Sequence, residues 1–453
     1  MTALFYLLGV VIFVVAILLS IGLHELGHMI PAKKFGGKVT QYFIGFGPTV
    51  WSKQVGETEY GVKAIPLGGY VKIVGMLPPG AEQLADEVTV DEHGNQVVRV
   101  RKSNTGMFTQ LISDARAAEW ELVGPGDSER LFYKLSSWKK IVVMAGGPSV
   151  NIAIAFFIFW GIFGLYGERS QEPDAGRPVI DSVSKCVIPY AEQRTDCQTG
   201  DPVAPAYQAG LRPGDEILSF NGTAITDWEQ LRTLIRENED GEAVIGYERD
   251  GAQLTGTTST TVETRPVDET GETLREVGFL GVTPTTHVEV TTGGPLFTLD
   301  RMGDMTVETV KALGTLPVKV WGVAKAIVGV EERAQDSPVS IVGGGRLAGE
   351  TVSHETFPVV EKTVFLLSLI AGFNFFIGMF NFLPLLPLDG GHIASASWEA
   401  VRRGLARLRG RPDPGYVDAA KLLPVAYVVA SAMMVMGVVL IVGDLVVPVS
   451  IYG

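Results

Sequence analysis

Residues 4–28 read LFYLLGVVIFVVAILLSIGLHELGH. Leu4 to Leu23 carry no charge, and about 20 apolar residues let a helix cross roughly 30 Å of hydrocarbon. The run ends in His24-Glu25-Leu26-Gly27-His28. On a helix, residues four apart share a face, so both imidazoles reach one ion. Glu25 stands beside them, placed to take a proton from metal-bound water. An ionisable side chain in a span costs up to about 2.5–3.5 kcal/mol on insertion scales, the figure for the span's centre, and such residues are functional by default. The plainer alternative has His and Glu simply facing headgroup water.

Three more runs are as apolar: Ile141 to Tyr166, Val364 to Leu388 and Leu422 to Gly443. The chain has 453 residues, a formal charge of −13 and 19% charged residues, with a mean hydropathy of +0.24. That combination excludes a single soluble domain, a fibrous protein and a largely disordered chain. The acidic balance, with no basic stripe carrying interleaved aromatics, argues for no nucleic acid partner. Two cysteines are too few for a disulfide scaffold or a Cys-based zinc module. The first run has no basic flank before it and no small-x-small cleavage site after it, so it is expected to be a retained span.

Lys33, Lys34, Lys38, Lys139, Lys140, Arg402, Arg403, Arg407, Arg409 and Arg411 flank the runs. Positive charge marks the cytoplasmic side. Segments 30–140 and 389–421 are therefore expected inside, and both termini and 167–360 outside. Cys186 and Cys197 fall in the outer segment, where an oxidising compartment makes a disulfide plausible.

The organisation follows as 1–38, span 1 with the metal motif; 39–75, a small membrane-associated β-sheet; 76–138, a charged cytoplasmic insert; 139–167, span 2. Short β-rich runs punctuated by Gly and Pro carry the sheet. In 175–290, Val179 to Val183 reads as a strand, Arg212-Pro213-Gly214-Asp215 as a turn and Glu216 to Phe220 as a second strand. Asn221-Gly222 reads as a hairpin turn, Trp228 to Arg236 as a helix, and Ala243–Tyr247 and Thr257–Glu263 as strands. The stretch Ala206 to Asn221 resembles a bacterial PDZ domain, a module that binds extended peptides by strand addition. Phe279-Leu280-Gly281-Val282 is its candidate peptide-binding loop. Residues 291–360 form an amphipathic segment, either a lid on the membrane surface or a helix packed on the PDZ-like module. Span 3 with an Asp-Gly motif (361–395), a cytoplasmic basic loop (396–421) and span 4 (422–447) complete the chain.

A catalytic zinc usually takes three protein ligands and a water. Between Lys362 and Glu399 the only formally charged residue is Asp389. It follows Asn381-Phe382-Leu383-Pro384-Leu385-Leu386-Pro387-Leu388 and precedes Gly390-Gly391. The prolines break the helix, the glycines permit a tight turn, and irregular backbone at membrane depth must line a cavity or be buried in protein. His392 is a competing ligand. Spans 1 and 3 both run inward, so topology and ligand chemistry place His24, His28 and Asp389 on one membrane face.

These features together resemble the site-2 protease family, in its RseP-like, PDZ-containing branch. The resemblance runs nearly end to end. It takes in the metal motif, Gly45-Phe46-Gly47-Pro48, Pro66-Leu67-Gly68-Gly69-Tyr70, Gly146-Gly147-Pro148 with Asn151, one PDZ-like domain as in actinobacterial members, and Asn381 to Gly390. Pro387 stands one residue later than in many relatives. The resemblance implies a polytopic α-helical protein of the bacterial cell membrane, with its site near the cytoplasmic side. It implies one Zn2+ held by His24, His28 and Asp389, with Glu25 as base. Asn381 would hold the substrate backbone, and the strand around Gly68 and Gly69 would pair with it. For Gly68 and Gly69 an ordinary tight turn is the alternative, and for Asn151 a structural hydrogen bond across helices. The implied activity is cleavage of single-span membrane proteins, anti-sigma factors or signal-peptide remnants, after an upstream site-1-type protease has made a first cut. A catalytically inactive membrane PDZ scaffold is the alternative, and a tethered protease of soluble proteins a third.

Overall fold

The computed structural model describes residues 2–78, 89–90, 96–97, 107–120, 123–124, 126–190, 196–267 and 274–449. It divides into two units, 1–166 with 293–453, and 167–292.

The larger unit is built on long apolar helices. α1 (Thr2–Lys34) leads into a hairpin of β1 (Val39–Val55) and β2 (Thr58–Ile73). A short pair, β3 (Thr89–Val90) and β4 (Gln96–Val97), and α2 (Met107–Trp120) follow, and the other residues of the predicted insert between 79 and 106 lie outside the described residues. Then come α3 (Ser137–Leu165), α6 (Pro295–Ile327), α7 (Ile341–Ser353), α8 (Val359–Asn381), α9 (Asp389–Leu408) and α10 (Leu423–Val446). Among the described residues, four helices are long and apolar enough to cross a membrane: α1, α3, α8 and Ala419–Val446.

The hairpin differs from the short strands the sequence implied. Gly56, with φ +62°, opens a two-residue turn between Val55 and Thr58, the left-handed first position that a type II′ turn reserves for glycine. β2 then doubles back, so that residues 39–44 of β1 lie between 59–62 and 69–73: Ile44 pairs with both Val62 and Gly69. The stretch 69–73 therefore forms one edge. The Tyr42 hydroxyl donates to the Gly22 carbonyl at 2.8 Å and ties this sheet to α1. Burial pushes that phenol up to about 12, with Glu25 adding to the effect, so it remains a neutral donor.

Three further differences have physical reasons. Within the expected amphipathic segment 291–360, α7 is a second helix that carries Gly343, Gly344 and Gly345. A Cβ at Gly344 would come within 2.8 Å of Phe13 and Phe373, so these glycines let α7 lie against α1 and α8. Gly390-Gly391 make no turn but open α9, and the segment 396–421 is helical up to Leu408. α6 packs within this unit, with Met302 joining Phe159 and Ala371 in one core.

At the far end of α10, Asp444 is buried and accepts from Arg333 Nη2 at 2.7 Å and from the Ser340 backbone N–H at 2.6 Å. Removing one partner of a buried pair leaves an uncompensated charge and costs about 3–5 kcal/mol. Asp444→Ala is expected to lower the detergent melting temperature sharply. Arg333→Met with Asp444→Leu should recover most of the loss. An unchanged melting temperature for the single variant would show the pair is not a stabilising clasp.

The smaller unit is β-rich: β5 (Glu168–Pro173), β6 (Ile180–Val183), α4 (Pro205–Gln208), β7 (Glu216–Phe220), β8 (Thr223–Ala224), α5 (Trp228–Glu237), β9 (Glu242–Arg249), β10 (Ala252–Ser259), β11 (Thr261–Pro266), β12 (Leu274–Phe279), β13 (Val282–Pro284) and β14 (Thr286–Thr291). Its main sheet has the order β10-β9-β7-β8. Asn221 and Gly222 both have positive φ, +50° and +79°, as a type I′ hairpin turn requires. The core is Ile180, Ile217, Phe220, Leu231, Ile245 and neighbours. The expected strand Thr257–Glu263 is two strands that part at Thr260, whose hydroxyl is held by Asn238. Asp215 of the Pro-Gly-Asp turn is buried and takes a two-pronged contact from Arg249 at 2.7 and 2.8 Å. Cys186 and Cys197 form a disulfide, Cα atoms 5.9 Å apart. Phe279 to Val282 line a pocket of about 270 Å³ against Trp228 and Ile235 of α5.

Candidate metal centre

α1 carries His24 and His28 one turn apart, and α9 begins at Asp389. The two Nε2 atoms are 3.2 Å apart. Asp389 Oδ2 lies 3.3 Å from each. Three donor atoms in a mutual triangle of this size fit a single tetrahedral zinc, because bonds of about 2.0–2.1 Å set ligand atoms about 3.3 Å apart. The tautomer fits as well. His28 Nδ1 sits 2.8 Å from the Val143 carbonyl. It therefore carries the proton and donates, leaving Nε2 free to bind metal. Among the described residues these three form the one group of His, Cys, Asp or Glu able to hold a metal ion. His392 lines the same cavity but is outside that group.

The cavity holds about 640 Å³ and takes in every residue the sequence marked for the site. Glu25 and Asn381 line it, as do Gly68 and Gly69 on the β2 edge. Gly68 has φ +106°, so it does occupy a turn-like conformation. Gly69 is closely hemmed in: a Cβ there would lie 3.0 Å from the Phe43 carbonyl oxygen and 3.1 Å from Glu25 Cγ. Asn381 closes α8, and the loop to Asp389 includes a cis Leu386–Pro387 peptide bond.

The sequence did not reveal how much of this is set by α3. A Cβ on Gly147 would fall 2.7 Å from His24 Nε2 and nearer still to His28 Nε2. The Gly146 and Gly27 backbones meet so closely that neither tolerates a side chain. Lys140 of α3 holds Glu399 of α9 at 2.9 and 3.1 Å, Ser137 adds a hydrogen bond at 3.1 Å, and Glu399 is buried. The glycine pair at the start of span 2 was the available signal for the first contact; nothing local signalled the second. Beside the cavity Glu119 of α2 accepts from the Gly75 and Met76 N–H groups at 2.7 and 3.1 Å, and Met76 lines the cavity.

A two-histidine helix, an acid from a second helix and a glutamate poised beside them, walled by apolar helices, define a membrane metallopeptidase. The chain matches peptidase family M50 over residues 12–414, and it belongs to that family, the site-2 metalloproteases. It is 34% identical to the zinc metalloprotease Rip1 of Mycobacterium tuberculosis, over 99% of each chain. It is 26% identical to the protease RseP of Yersinia pestis, over 86% of this chain and 90% of that one. A PDZ domain of the SdrC-like protein from Listeria monocytogenes aligns at 17% identity with 25% of this chain and 90% of its own, with a TM-score of 0.14.

Proposed function

We propose that this protein is a zinc endopeptidase that cuts single-span membrane proteins inside the bilayer, after an upstream protease has removed their outer part. The observation that carries this is the His24–His28–Asp389 triangle opening onto the same cavity as Glu25 and the β2 edge. Zinc held by the two Nε2 atoms and Asp389 Oδ2 would acidify a water and polarise the scissile carbonyl. Glu25 takes the proton from the attacking water and returns it to the departing amine. A membrane helix hides its amides in internal hydrogen bonds, so it must unwind before it can be cut. The edge 69–73 offers a strand for the unwound segment to pair with, and the Asn381 carboxamide holds it at the end of α8. With Lys and Arg flanks inside, the centre lies towards the cytoplasmic face and the PDZ-like unit lies outside, where it screens substrates that keep their outer domain.

The test uses the full chain in detergent with a tagged single-span substrate lacking its outer domain, bound metal counted and products located by mass spectrometry. One zinc per chain and a cut within the span, abolished by a chelator and restored by zinc, is the expected result. Neither metal nor cleavage would leave a membrane PDZ scaffold as the function, and cleavage of casein in place of the span would make it a tethered protease of soluble proteins.

A further inference from the structure

We infer that Asn151 is a second binding residue for the substrate backbone, one whose side-chain oxygen accepts an N–H from the unwound segment; this rests on the proteolytic reading above. Asn151 lies on α3 one turn beyond Gly147, and residues four apart share a helix face about 6 Å apart along the axis. It therefore stands on the face that touches both imidazoles. It is 1% exposed and lines the metal cavity, and its Oδ1 has no hydrogen-bond partner among the described residues. Buried side-chain carbonyl oxygens without a donor are uncommon. Asn374 of α8 also has an unpartnered Oδ1, but its amide donates back to the Ile370 carbonyl at 2.8 Å and it is not part of the cavity lining.

The chemistry of the occupant matches this acceptor. An extended segment turns alternate N–H groups to opposite edges. Pairing with residues 69–73 of β2 satisfies one set and leaves the other facing across the cavity, where the bilayer supplies no water to receive it. A carboxamide oxygen on α3 meets that need without favouring one side chain, as an enzyme cutting varied spans requires. Asn381 at the end of α8 is the other carboxamide in the lining.

The experiment measures binding of a labelled single-span peptide to full-length protein in detergent, in a Glu25→Gln background that does not turn it over, with zinc counted in each sample. Backbone esters, each replacing one N–H by oxygen, are scanned through the unwound region. Wild type should cleave the unmodified peptide. Asn151→Ala should keep its zinc and bind about tenfold more weakly, the range of one lost hydrogen bond. One ester should weaken binding to the Asn151 form about tenfold and leave the Ala form unchanged. Esters that cost both forms equally, or an Ala variant that binds like its parent, overturn the inference and leave Oδ1 to a buried water. Loss of zinc in Asn151→Ala also overturns it, by assigning the residue to helix packing. Wild type that fails to cut the peptide overturns the proteolytic reading and this inference with it.

Discussion

Glu25→Gln is expected to lower intramembrane cleavage about a thousandfold while one zinc per chain stays bound. Gln keeps the size and the hydrogen-bonding reach of Glu but is no base at any working pH. General acid–base groups contribute about 10²–10⁴ to rate, and Glu25 performs both proton transfers in the scheme, so the upper half of that range applies. Retention of zinc follows from the geometry: the triangle of donor atoms is complete with His24, His28 and Asp389. Rates of product formation in detergent, with metal measured on the same samples, check both halves. A variant within about tenfold of wild type would remove Glu25 from the proton path. A variant without zinc would make it part of the binding set.

Gly147→Ala is the second large effect, and it runs against helix propensity. In an ordinary helix interior the change favours folding by about 1 kcal/mol. Here the added methyl would stand 2.7 Å from His24 Nε2 and closer to His28 Nε2, in contact with the atoms meant for the metal. The imidazoles must turn aside or α1 and α3 must part. At Gly27 and Gly146 the backbones already touch, so the helices have no slack there. Zinc affinity should fall at least a hundredfold and cleavage to background, with helical circular dichroism unchanged. Gly161→Ala is the control on the same helix, because a Cβ there meets nothing within 4 Å. Full zinc and full activity in Gly147→Ala would show that the ligand helices are far more yielding than their packing implies.

Much of this was legible because the decisive signals are local. Leu4 to Leu23 declares a span by length and lack of charge, His24 and His28 by spacing, and Asp389 by being the lone charge in a long apolar stretch. Asn221-Gly222 announces its own turn. What was not legible depends on partners far along the chain. Gly390-Gly391 look like a turn, yet they lie in a helix, and the 382–386 backbone packs so closely on them that a side chain would not fit. Thr260 stands between two strands, where its hydroxyl accepts from the amide of Asn238, 22 residues earlier. Lys140 and Glu399 are 259 residues apart and look like two ordinary surface charges until α3 and α9 bring them together. The PDZ-like boundaries and the sidedness of the helices rest on the sequence argument.

The three side chains able to hold the metal come from α1 and α9, and none from α3. Yet the Val143 carbonyl fixes the tautomer of His28, Gly147 sets how near the imidazoles approach, and Lys140 anchors the helix that Asp389 begins. α3 thus acts as the jig on which a site it does not own is assembled. Anyone transplanting this centre to another scaffold would have to carry over residues 140–147 in register along with the ligands, since the ligand set alone would arrive without its gauge.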